Sequence, residues 1–151
     1  LSQAQDRMQM QAERAGVQLV CDFSPDLPEV LADPQRISQV LVNLIHNAIK
    51  FTPVGGKISL QAHVERDMVV FCVQDTGAGI PAADIPRIFE RFYKTDRARA
   101  SGGTGLGLSI AKHLVEAHLG DQPPASRQQF LFFIIDGGAW LGRNGFLLNI
   151  S

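Results

Sequence analysis

The sequence has little of what marks secreted, disulfide-rich or nucleic-acid-binding proteins. Only two of its 151 residues are cysteine, Cys21 and Cys72, and both lie in apolar, strand-like runs. We interpret them as small buried apolar residues in a reducing compartment, not as a disulfide framework or a metal site. The formal net charge is only −1, so no long-range field favours nucleic acid or an anionic membrane.

Long apolar segments are also missing. Wholly apolar runs reach six residues, as in FLFFII at 130–135, whereas about 20 are needed to span a bilayer. The polar, helical first residues do not have the pattern of a signal peptide. We therefore expect a soluble, cytoplasmic domain. Because the chain opens within a helix and without an initiator Met, we expect a fragment of a longer protein, which could itself be anchored to a membrane.

The composition is that of one globular domain with a sizeable core, because 45% of the residues are hydrophobic and 19% are charged. Alternating apolar and polar residues predict strands at 17–23, 57–65 and 68–75, and Arg66-Asp67 is predicted to join the last two as a tight turn. EVLAD, residues 29–33, is predicted to be a further short strand.

Two helices are predicted in the first third of the chain. A polar helix covers 2–15 and ends at Gly16. The second runs from Pro34 to about Phe51, with Asp33 as its N-cap and Pro34 at the first helical position.

The second half of the chain is predicted to hold a short helix within 82–94, a polar and flexible stretch at 95–105, and an amphipathic helix at 106–120. Together with the hairpin strands, these helices predict an α+β fold. We expect a two-layer α/β sandwich whose mixed, mostly antiparallel sheet is covered on one face by helices. The apolar side chains of the last helix that are expected to point inward are Leu106, Ile110, Leu114 and Val115.

The helix at 34–51 contains an unusual pair of amides. Asn43 and Asn47 are four residues apart within an apolar pattern, and Lys50 follows three residues later, so the three share one side of the helix. Asn is a mediocre helix former because its amide competes for backbone hydrogen bonds. Taken alone, the pair is most simply interpreted as part of a solvated face.

Two glycine-rich segments follow. DTGAGIP, at 75–81, ends a strand and contains Gly77 and Gly79, which allow positive φ and close approach to a ligand; alone, it is typical of a plain turn. GGTGLGLSIAK, at 102–112, runs directly into a helix, so its amides and the helix N-terminus suit an anion such as phosphate. A Rossmann or Walker A pattern is excluded by the G-x-G-x-G spacing, the missing strand and the missing Gly-Lys-Ser/Thr ending.

Basic residues lie between the two loops, at Lys94, Arg97 and Arg99. A run of charge is usually solvated surface. Its position just before a phosphate-type loop favours a functional interpretation.

In this order, the segments resemble the ATP-binding catalytic domain of sensor histidine kinases, within the superfamily that includes DNA gyrase B, MutL and the heat-shock chaperone ATPases. The resemblance covers about residues 15–120 and implies a pocket for ATP, with Mg²⁺, under a flexible lid. The matching segments are the asparagine box NLIHNAIKFTP (43–53), the first glycine box DTGAGIP (75–81), the phenylalanine box IFERFYK (88–94) and the second glycine box GTGLGL (103–108).

The resemblance implies roles for the asparagine box. Asn47 would be the Mg²⁺ ligand, through a neutral amide oxygen suited to a hard cation. Asn43 would lie beside the phosphates and the metal's waters, and Lys50 would neutralise phosphate charge. Phe51 would pack near the adenine, and Asp75 would accept a hydrogen bond from the adenine amino group.

The resemblance also implies roles near the lid. Phe89 and Phe92 would anchor the lid, and Lys94 is placed like the family's γ-phosphate-contacting base. Gly77 and Gly79 would let the backbone curve round the adenine. The rest of the implied nucleotide-binding set is Ile80, Tyr93, Gly103, Thr104, Gly105, Leu106, Gly107 and Leu108.

Asn43 also bears on the type of reaction. Hydrolysing relatives carry a Glu at the matching position as the general base for water, and an uncharged amide cannot take that proton. The resemblance therefore implies a protein-histidine kinase that transfers the γ-phosphate by positioning and charge neutralisation, with Asn43, Lys50 and Lys94 as catalytic residues. Two alternatives stay open: a nucleotide-binding module without catalysis, and an anti-sigma-type serine kinase on the same fold.

The resemblance divides the chain into three parts. Residues 1–15 are expected to end a preceding dimerisation helix, and 16–120 to form the catalytic domain. Residues 121–151 form a divergent tail, whose apolar runs at 130–135 and 146–150 could pair and complete the sheet, with DGG and GRNG as turns.

The expected partners follow from the same resemblance. None of the four histidines lies in the family's phospho-acceptor context, so the acceptor is expected on the dimerisation domain of the parent protein. This implies a homodimeric parent, a response regulator reached through that domain, and an isolated domain that is monomeric. No nucleic-acid partner is expected.

Overall fold

The computed structural model describes residues 2–65, 68–120, 129–135 and 139–141. These residues include one five-stranded sheet with the strand order β1-β2-β3-β4-β5. The strands are β1 (Gln18–Phe23), β2 (Lys57–Glu65), β3 (Met68–Asp75), β4 (Gln129–Ile135) and β5 (Ala139–Leu141). The helices are α1 (Ser2–Arg14), α2 (Pro34–Phe51), α3 (Asp96–Ala100) and α4 (Gly107–Gly120), with a 3₁₀ turn at Ile85–Arg87.

Helix α2 begins and ends where local signals predict. The N-cap Asp33 accepts hydrogen bonds from the backbone N–H groups of Gln35 (2.9 Å) and Arg36 (3.3 Å). At the other end, the Thr52 hydroxyl donates to the Ala48 carbonyl at 2.7 Å. The predicted bounds of this helix are confirmed.

The sheet is mixed, as predicted, but it has fewer antiparallel pairings than expected. The pairs β1–β2 and β3–β4 are parallel, and the pairs β2–β3 and β4–β5 are antiparallel. A parallel pair needs a long crossover, and here α2 lies between β1 and β2 in the chain, and α4 between β3 and β4. Alternation within a strand does not reveal the direction of its neighbour, which is why the sequence overstated antiparallel pairing.

The core lies between one face of the sheet and the helices. Leu60 of β2 stands opposite Val73 of β3 in the register of the hairpin, and both are buried in one cluster with the apolar stripe of α2. Burying a side chain of this size contributes about 1.5–3 kcal/mol, so this face orients α2. The buried residues of α2 are Ile37, Val40, Leu41, Leu44, Ile45 and Ala48.

Helix α1 packs into the same domain. Met8 and Ala12 are buried in the common core, and α1 contacts both α2 and β1. Gly16 has φ +68, the left-handed conformation that ends a helix at glycine as predicted. The assignment of this helix to a dimerisation domain stays a prediction.

The two cysteines differ in burial. Cys72 is buried in β3 and Cys21 is partly buried in β1. Burial raises the pKa of both thiols, because a thiolate loses its hydration there. Cys72 thus behaves as the small apolar residue that the sequence predicts.

Residues 29–33 form no strand, contrary to prediction. Pro28 supplies no backbone N–H, Leu31 is 62% exposed, and Asp33 is used as the cap of α2. Residues 29–33 are therefore too short a segment to add a strand to the sheet, because Asp33 already caps α2.

The segments around the lid also differ from prediction. The helix expected within 82–94 is limited to the 3₁₀ turn Ile85–Arg87. The stretch at 95–105 contains the short helix α3, which Thr95 caps by accepting a hydrogen bond from the Ala98 N–H at 3.2 Å. The mobility of the lid, which we define as residues 94–104, stays a prediction.

Of the residues of α4 that were predicted to point inward, Val115 is buried and Leu114 packs against the core, but Ile110 does not. Ile110 is 43% exposed, whereas Ala111 and Val115 are buried. Ala111, Val115 and His118 are spaced by four and three residues and form the buried stripe. Ile110 is rotated about 100° from that stripe, so apolar character alone misplaced it.

The tail contributes strands to the sheet. The run at 130–135 lies in β4, which pairs with β3 and β5. The run at 146–150 and the predicted turns at 66–67, 136–138 and 142–145 lie outside the described residues. Among the residues that are described, no helix has the length and apolar character to cross a membrane.

Candidate nucleotide-binding site

A cavity of about 720 Å³ opens between the polar side of α2, the end of β3 and the segment that leads into α4. Most of the residues that the sequence selects line it. These residues are Asn43, Asn47, Lys50, Phe51, Asp75, Gly79, Ile80, Tyr93, Lys94, Gly103, Thr104, Gly105, Gly107 and Leu108.

Four of the selected residues do not line the cavity: Gly77, Phe89, Phe92 and Leu106. Phe89 is buried in the core, which suits an anchor. Phe92, selected with it as a second anchor, is 70% exposed and does not pack into the core. The resemblance implies a shared role for the two phenylalanines, but Phe92 has a left-handed backbone, with φ +63, and its ring faces outward.

Asn43 presents an amide to the cavity wall with one of its atoms unpartnered. Its Oδ1 accepts a hydrogen bond from Gln39 Nε2 at 3.2 Å. Its Nδ2 is buried and has no hydrogen-bond partner among the described residues. A buried donor without a partner is costly, so this wall suits a ligand that carries an acceptor.

Lys50 connects α2 to the second glycine loop. Its Nζ donates a hydrogen bond to the Gly102 carbonyl, 52 residues along the chain, and lies 5.4 Å from the centroid of the Phe51 ring. A Cβ added at Gly103 would lie 2.6 Å from the same Nζ. Glycine at 103 therefore lets the lid backbone approach the ammonium group.

Asp75 ends β3 in a tight turn. Its Oδ1 accepts a hydrogen bond from the Gly77 N–H at 2.8 Å, which fixes the carboxylate at the cavity. A Cβ on Gly77 would lie 2.6 Å from the Phe51 carbonyl oxygen, so Gly77 is required by close approach and not by its φ. Gly79, with φ +79, is the residue of this loop that needs the left-handed conformation.

The match to known families decides what kind of cavity this is. Residues 32–134 match the family described as histidine kinase-, DNA gyrase B- and HSP90-like ATPase. The chain belongs to this family. The matched range extends past residue 120, where the sequence places the end of the catalytic domain, and that boundary stays a prediction.

Curated relatives of this ATPase-family chain are sensor kinases. The adaptive-response sensory kinase SasA of a Nostoc species is 41% identical over 141 residues, which cover 93% of this chain and 32% of SasA. The sensor histidine kinase WalK of Bacillus subtilis is 42% identical over 124 residues, covering 77% of this chain and 20% of WalK. The chain thus spans a third or less of the length of these relatives.

Solved structures of the family share the fold. ShkA, solved at full length in complex with AMPPNP, has a TM-score of 0.67 and 38% identity over 77% of this chain and 24% of ShkA. The mycobacterial sensor histidine kinase MprB has a TM-score of 0.66 and 27% identity, covering 76% of this chain and 73% of the MprB chain. These matches confirm the predicted α+β sandwich.

Sequence reasoning missed several residues that line the cavity, among them His46 and Asp84. His46 could have been found, because it lies three residues after Asn43 and four before Lys50 and so shares their side of α2. Asp84 had no such signal. It reaches the cavity because the chain turns between β3 and the lid, and its carboxylate accepts a hydrogen bond from the Tyr93 hydroxyl.

The Asp84 carboxylate changes the chemistry of Tyr93. The hydrogen bond between them is the main cause that raises the pKa of the Tyr93 phenol, because ionised tyrosine would lose the bond and face a like charge. The hydroxyl therefore stays a donor at neutral pH.

Proposed function

We propose that this chain binds Mg-ATP in the cavity and that its parent protein transfers the γ-phosphate to a histidine of its own dimerisation domain. One observation carries the proposal: the cavity wall on α2 has the amides Asn43 and Asn47 and the ammonium of Lys50, while α2 contains no aspartate or glutamate at all. Such a wall attracts a polyphosphate but contains no carboxylate that could deprotonate water.

Asn47 is our candidate ligand for Mg²⁺, which when bound would neutralise and orient the phosphates. The residues fit this ion in the manner expected of Mg²⁺, which keeps several waters and takes few protein ligands beside substrate oxygens. The described residues hold no group of three or more His, Cys, Asp and Glu side chains that could form a protein cage for a metal. The unpartnered Nδ2 of Asn43 suits a phosphate oxygen or a metal-bound water as acceptor.

The glycine loop and the basic side chains supply the other donors for the phosphates. Gly102, Gly103 and Gly105 have positive φ, which no β-carbon allows without strain, and the loop leads into α4 at Gly107. Lys94 and Arg97 also line the cavity. We assign these groups to hold and neutralise the triphosphate.

The transfer step then depends on positioning. The imidazole nitrogen of the acceptor histidine forms a bond to the γ-phosphorus as the bond from that phosphorus to the bridging oxygen breaks. ADP leaves with the electron pair of that bond, and the phosphorylated imidazole releases its other N–H proton to water. Lys50 and Lys94 offset the charge that develops on the phosphoryl oxygens and the leaving oxygen. Histidine is itself the nucleophile, so the absence of a base from α2 does not impede this step.

The wider assignments follow from this activity. We propose a homodimeric parent whose dimerisation domain passes the phosphate to a response regulator. The parent's catalytic domain would lie in the cytoplasm, where ATP is available.

The test uses the full-length parent protein with γ-labelled ATP and Mg²⁺. The expected product is a phosphorylated protein whose label is lost in acid and retained in base, as for a phosphorus–nitrogen bond. Release of free phosphate without a labelled protein would indicate a hydrolase. Acid-stable label on a second protein would favour the serine kinase, and binding without either reaction would favour a module that only binds nucleotide.

We expect Asp75→Asn to weaken ATP binding. Asparagine can still accept the hydrogen bond from the Gly77 N–H through its amide oxygen. Its NH₂ group, however, would face the adenine amino group, from which the carboxylate is proposed to accept a hydrogen bond. A hydrogen bond to a charged group is worth about 1.5–3 kcal/mol, so affinity should fall roughly 10- to 150-fold. Titration of a fluorescent ATP analogue measures this.

The matched control is Asp22→Asn, which removes the same charge from an exposed position on β1 outside the cavity. It should bind the analogue as the wild type does. An unchanged affinity in Asp75→Asn would contradict the role of Asp75 in recognising adenine.

We expect Gly103→Ala to weaken ATP binding more than Gly102→Ala. Both glycines have positive φ, +91 at Gly103 and +74 at Gly102, so a left-handed backbone destabilises either alanine variant by about 1–2 kcal/mol. Only the methyl at 103 meets the Lys50 Nζ; a methyl at 102 meets no atom within 4 Å. The comparison of the two dissociation constants separates displacement of Lys50 from backbone strain, and equal losses would contradict the role of this contact.

A further inference from the structure

Asp84 and Tyr93 form a side-chain link across one edge of the cavity. They are nine residues apart, and the Tyr93 hydroxyl donates to Asp84 Oδ1 in a partly buried hydrogen bond. Both residues line the cavity. The link joins the segment before the 3₁₀ turn to the point where the lid segment begins.

The ring of Tyr93 is held on its face as well as by its hydroxyl. The guanidinium carbon of Arg87 lies 4.3 Å from the ring centroid, a cation–π contact. Arg87 is in turn oriented by Glu90, with Nη2 at 3.1 Å from the carboxylate. Two separate contacts therefore restrict the position of one side chain.

The backbone on either side of Tyr93 supports the second glycine loop. The Phe92 N–H donates to the Gly105 carbonyl at 3.1 Å, and a Cβ on Gly105 would lie 3.0 Å from the Tyr93 carbonyl oxygen. Phe92 has φ +63 although its side chain is exposed, so burial of its ring does not stabilise this conformation. The neighbouring contacts, including those of Tyr93, must hold it.

We propose that Asp84 is a positioning residue that acts through the Tyr93 hydroxyl. It would hold Lys94 and the second glycine loop, at Gly105, in place against the triphosphate. Lys94 is bonded directly to Tyr93 in the chain, and Gly105 lies against the Tyr93 backbone, so holding this one side chain restricts the backbone at both. The inference rests on the proposed function, since it names how that site is organised.

A direct contact between Asp84 and the phosphates is disfavoured by charge, because a carboxylate repels a polyphosphate in a partly buried site. Its Oδ1 is already used by Tyr93. The link therefore affects the nucleotide through the position of the lid segment. Its loss should lower the affinity for ATP, which has a γ-phosphate, more than the affinity for ADP.

The experiment uses the full-length protein with four variants: Tyr93→Phe, Asp84→Ala, their combination, and Asp84→Asn. We measure the single-turnover rate of histidine phosphorylation and the dissociation constants of AMPPNP and ADP. Tyr93→Phe and Asp84→Ala should each lower the rate about tenfold, the effect of one lost hydrogen bond, while ADP affinity stays within about twofold. The double variant should lose no more than either single one, because the two residues act as one unit.

Asp84→Asn is the conservative variant, since its amide oxygen can still accept the Tyr93 hydroxyl, and it should retain most of the rate. Asp22→Asn, at an exposed position outside the cavity, should match the wild type. Additive losses in the double variant, a wild-type rate in Tyr93→Phe, or equal losses for ADP and AMPPNP would each overturn the proposal. If Asp84→Ala does not fold, Tyr93→Phe still tests the proposal by itself.

Failure of the proposed function gives a different result. In that case the wild type itself forms no phosphohistidine, and the ratio of AMPPNP to ADP affinity becomes the readout. A lower ratio in Tyr93→Phe and Asp84→Ala, but not in Asp84→Asn, would still support the positioning role, and an unchanged ratio would overturn it.

Discussion

The 151-residue chain alone should bind Mg-ATP but transfer phosphate neither to itself nor to water at a useful rate. The accepting histidine is expected on another domain, so no nucleophile is held in line with the γ-phosphate, and such positioning is worth about 7–11 kcal/mol. At about 1.36 kcal/mol per factor of ten, the loss exceeds roughly 10⁵-fold. The absence of a carboxylate from α2 also removes a general-base contribution of about 10²- to 10⁴-fold for water.

The histidines of the chain are poorly placed to replace the acceptor. His63 and His113 are exposed on β2 and α4 and lie outside the cavity, and His118 is buried in the core. His46 is the exception among the described residues, because it lines the cavity on the same side of α2 as Asn43 and Lys50. His46→Gln is therefore the control for weak labelling of the chain.

The measurement is incubation with γ-labelled ATP, with and without the separately purified dimerisation domains of the parent. Acid-labile label should appear on the added domain only. Strong labelling of the chain alone that persists in His46→Gln, or rapid release of phosphate, would contradict both the assignment of an external acceptor and the meaning of Asn43.

Asn47→Ala should lower phosphohistidine formation in the full-length protein by about 10²- to 10³-fold, the usual cost of removing one group that stabilises transition-state charge. ADP affinity in the absence of Mg²⁺ should change little, because the proposed metal acts on the phosphates and not on the adenine. The wild-type affinity for AMPPNP should rise when Mg²⁺ is added, and the variant should lose most of that rise.

Gln35→Ala is a suitable control for this variant, because it makes the same type of change on an exposed turn of α2. It should keep both the rate and the effect of Mg²⁺. An AMPPNP affinity that does not respond to Mg²⁺ in the wild type would refute the assignment of Asn47 as metal ligand.

Local patterns predicted the elements that carry the site. The bounds of α2 follow from its cap, its N-terminal proline and its apolar stripe, all of which belong to one continuous segment of the chain. Once that helix forms, its period of 3.6 residues places Asn43, Asn47 and Lys50 on one side, and all three line the cavity. The same reasoning succeeded at Gly79, where a positive φ is needed.

The same patterns failed where a residue's surroundings come from distant parts of the chain. Val115 is buried as predicted, but the packing of α4 on α2 buries Ala111 and leaves the more apolar Ile110 exposed. Phe92 resembles Phe89 in type and spacing, yet a single left-handed residue turns it to solvent. Periodicity predicts that a helix has an apolar face, but it does not predict which residues of that face pack against another element.

Local sequence patterns were enough to predict the bounds of α2 and its polar side, the two strands of the hairpin, the glycine loops and the resemblance to histidine kinases. Each of these depends on residues close together in the chain, whose conformations and spacing are set by local sterics and hydrogen bonding. Three features follow only from the packed fold: β1 and β2 run parallel, Lys50 donates a hydrogen bond to the Gly102 carbonyl, and Asp84 accepts one from the Tyr93 hydroxyl. Those contacts form only when burial of the common core brings separate segments together, because no single segment can exclude water from its own apolar face.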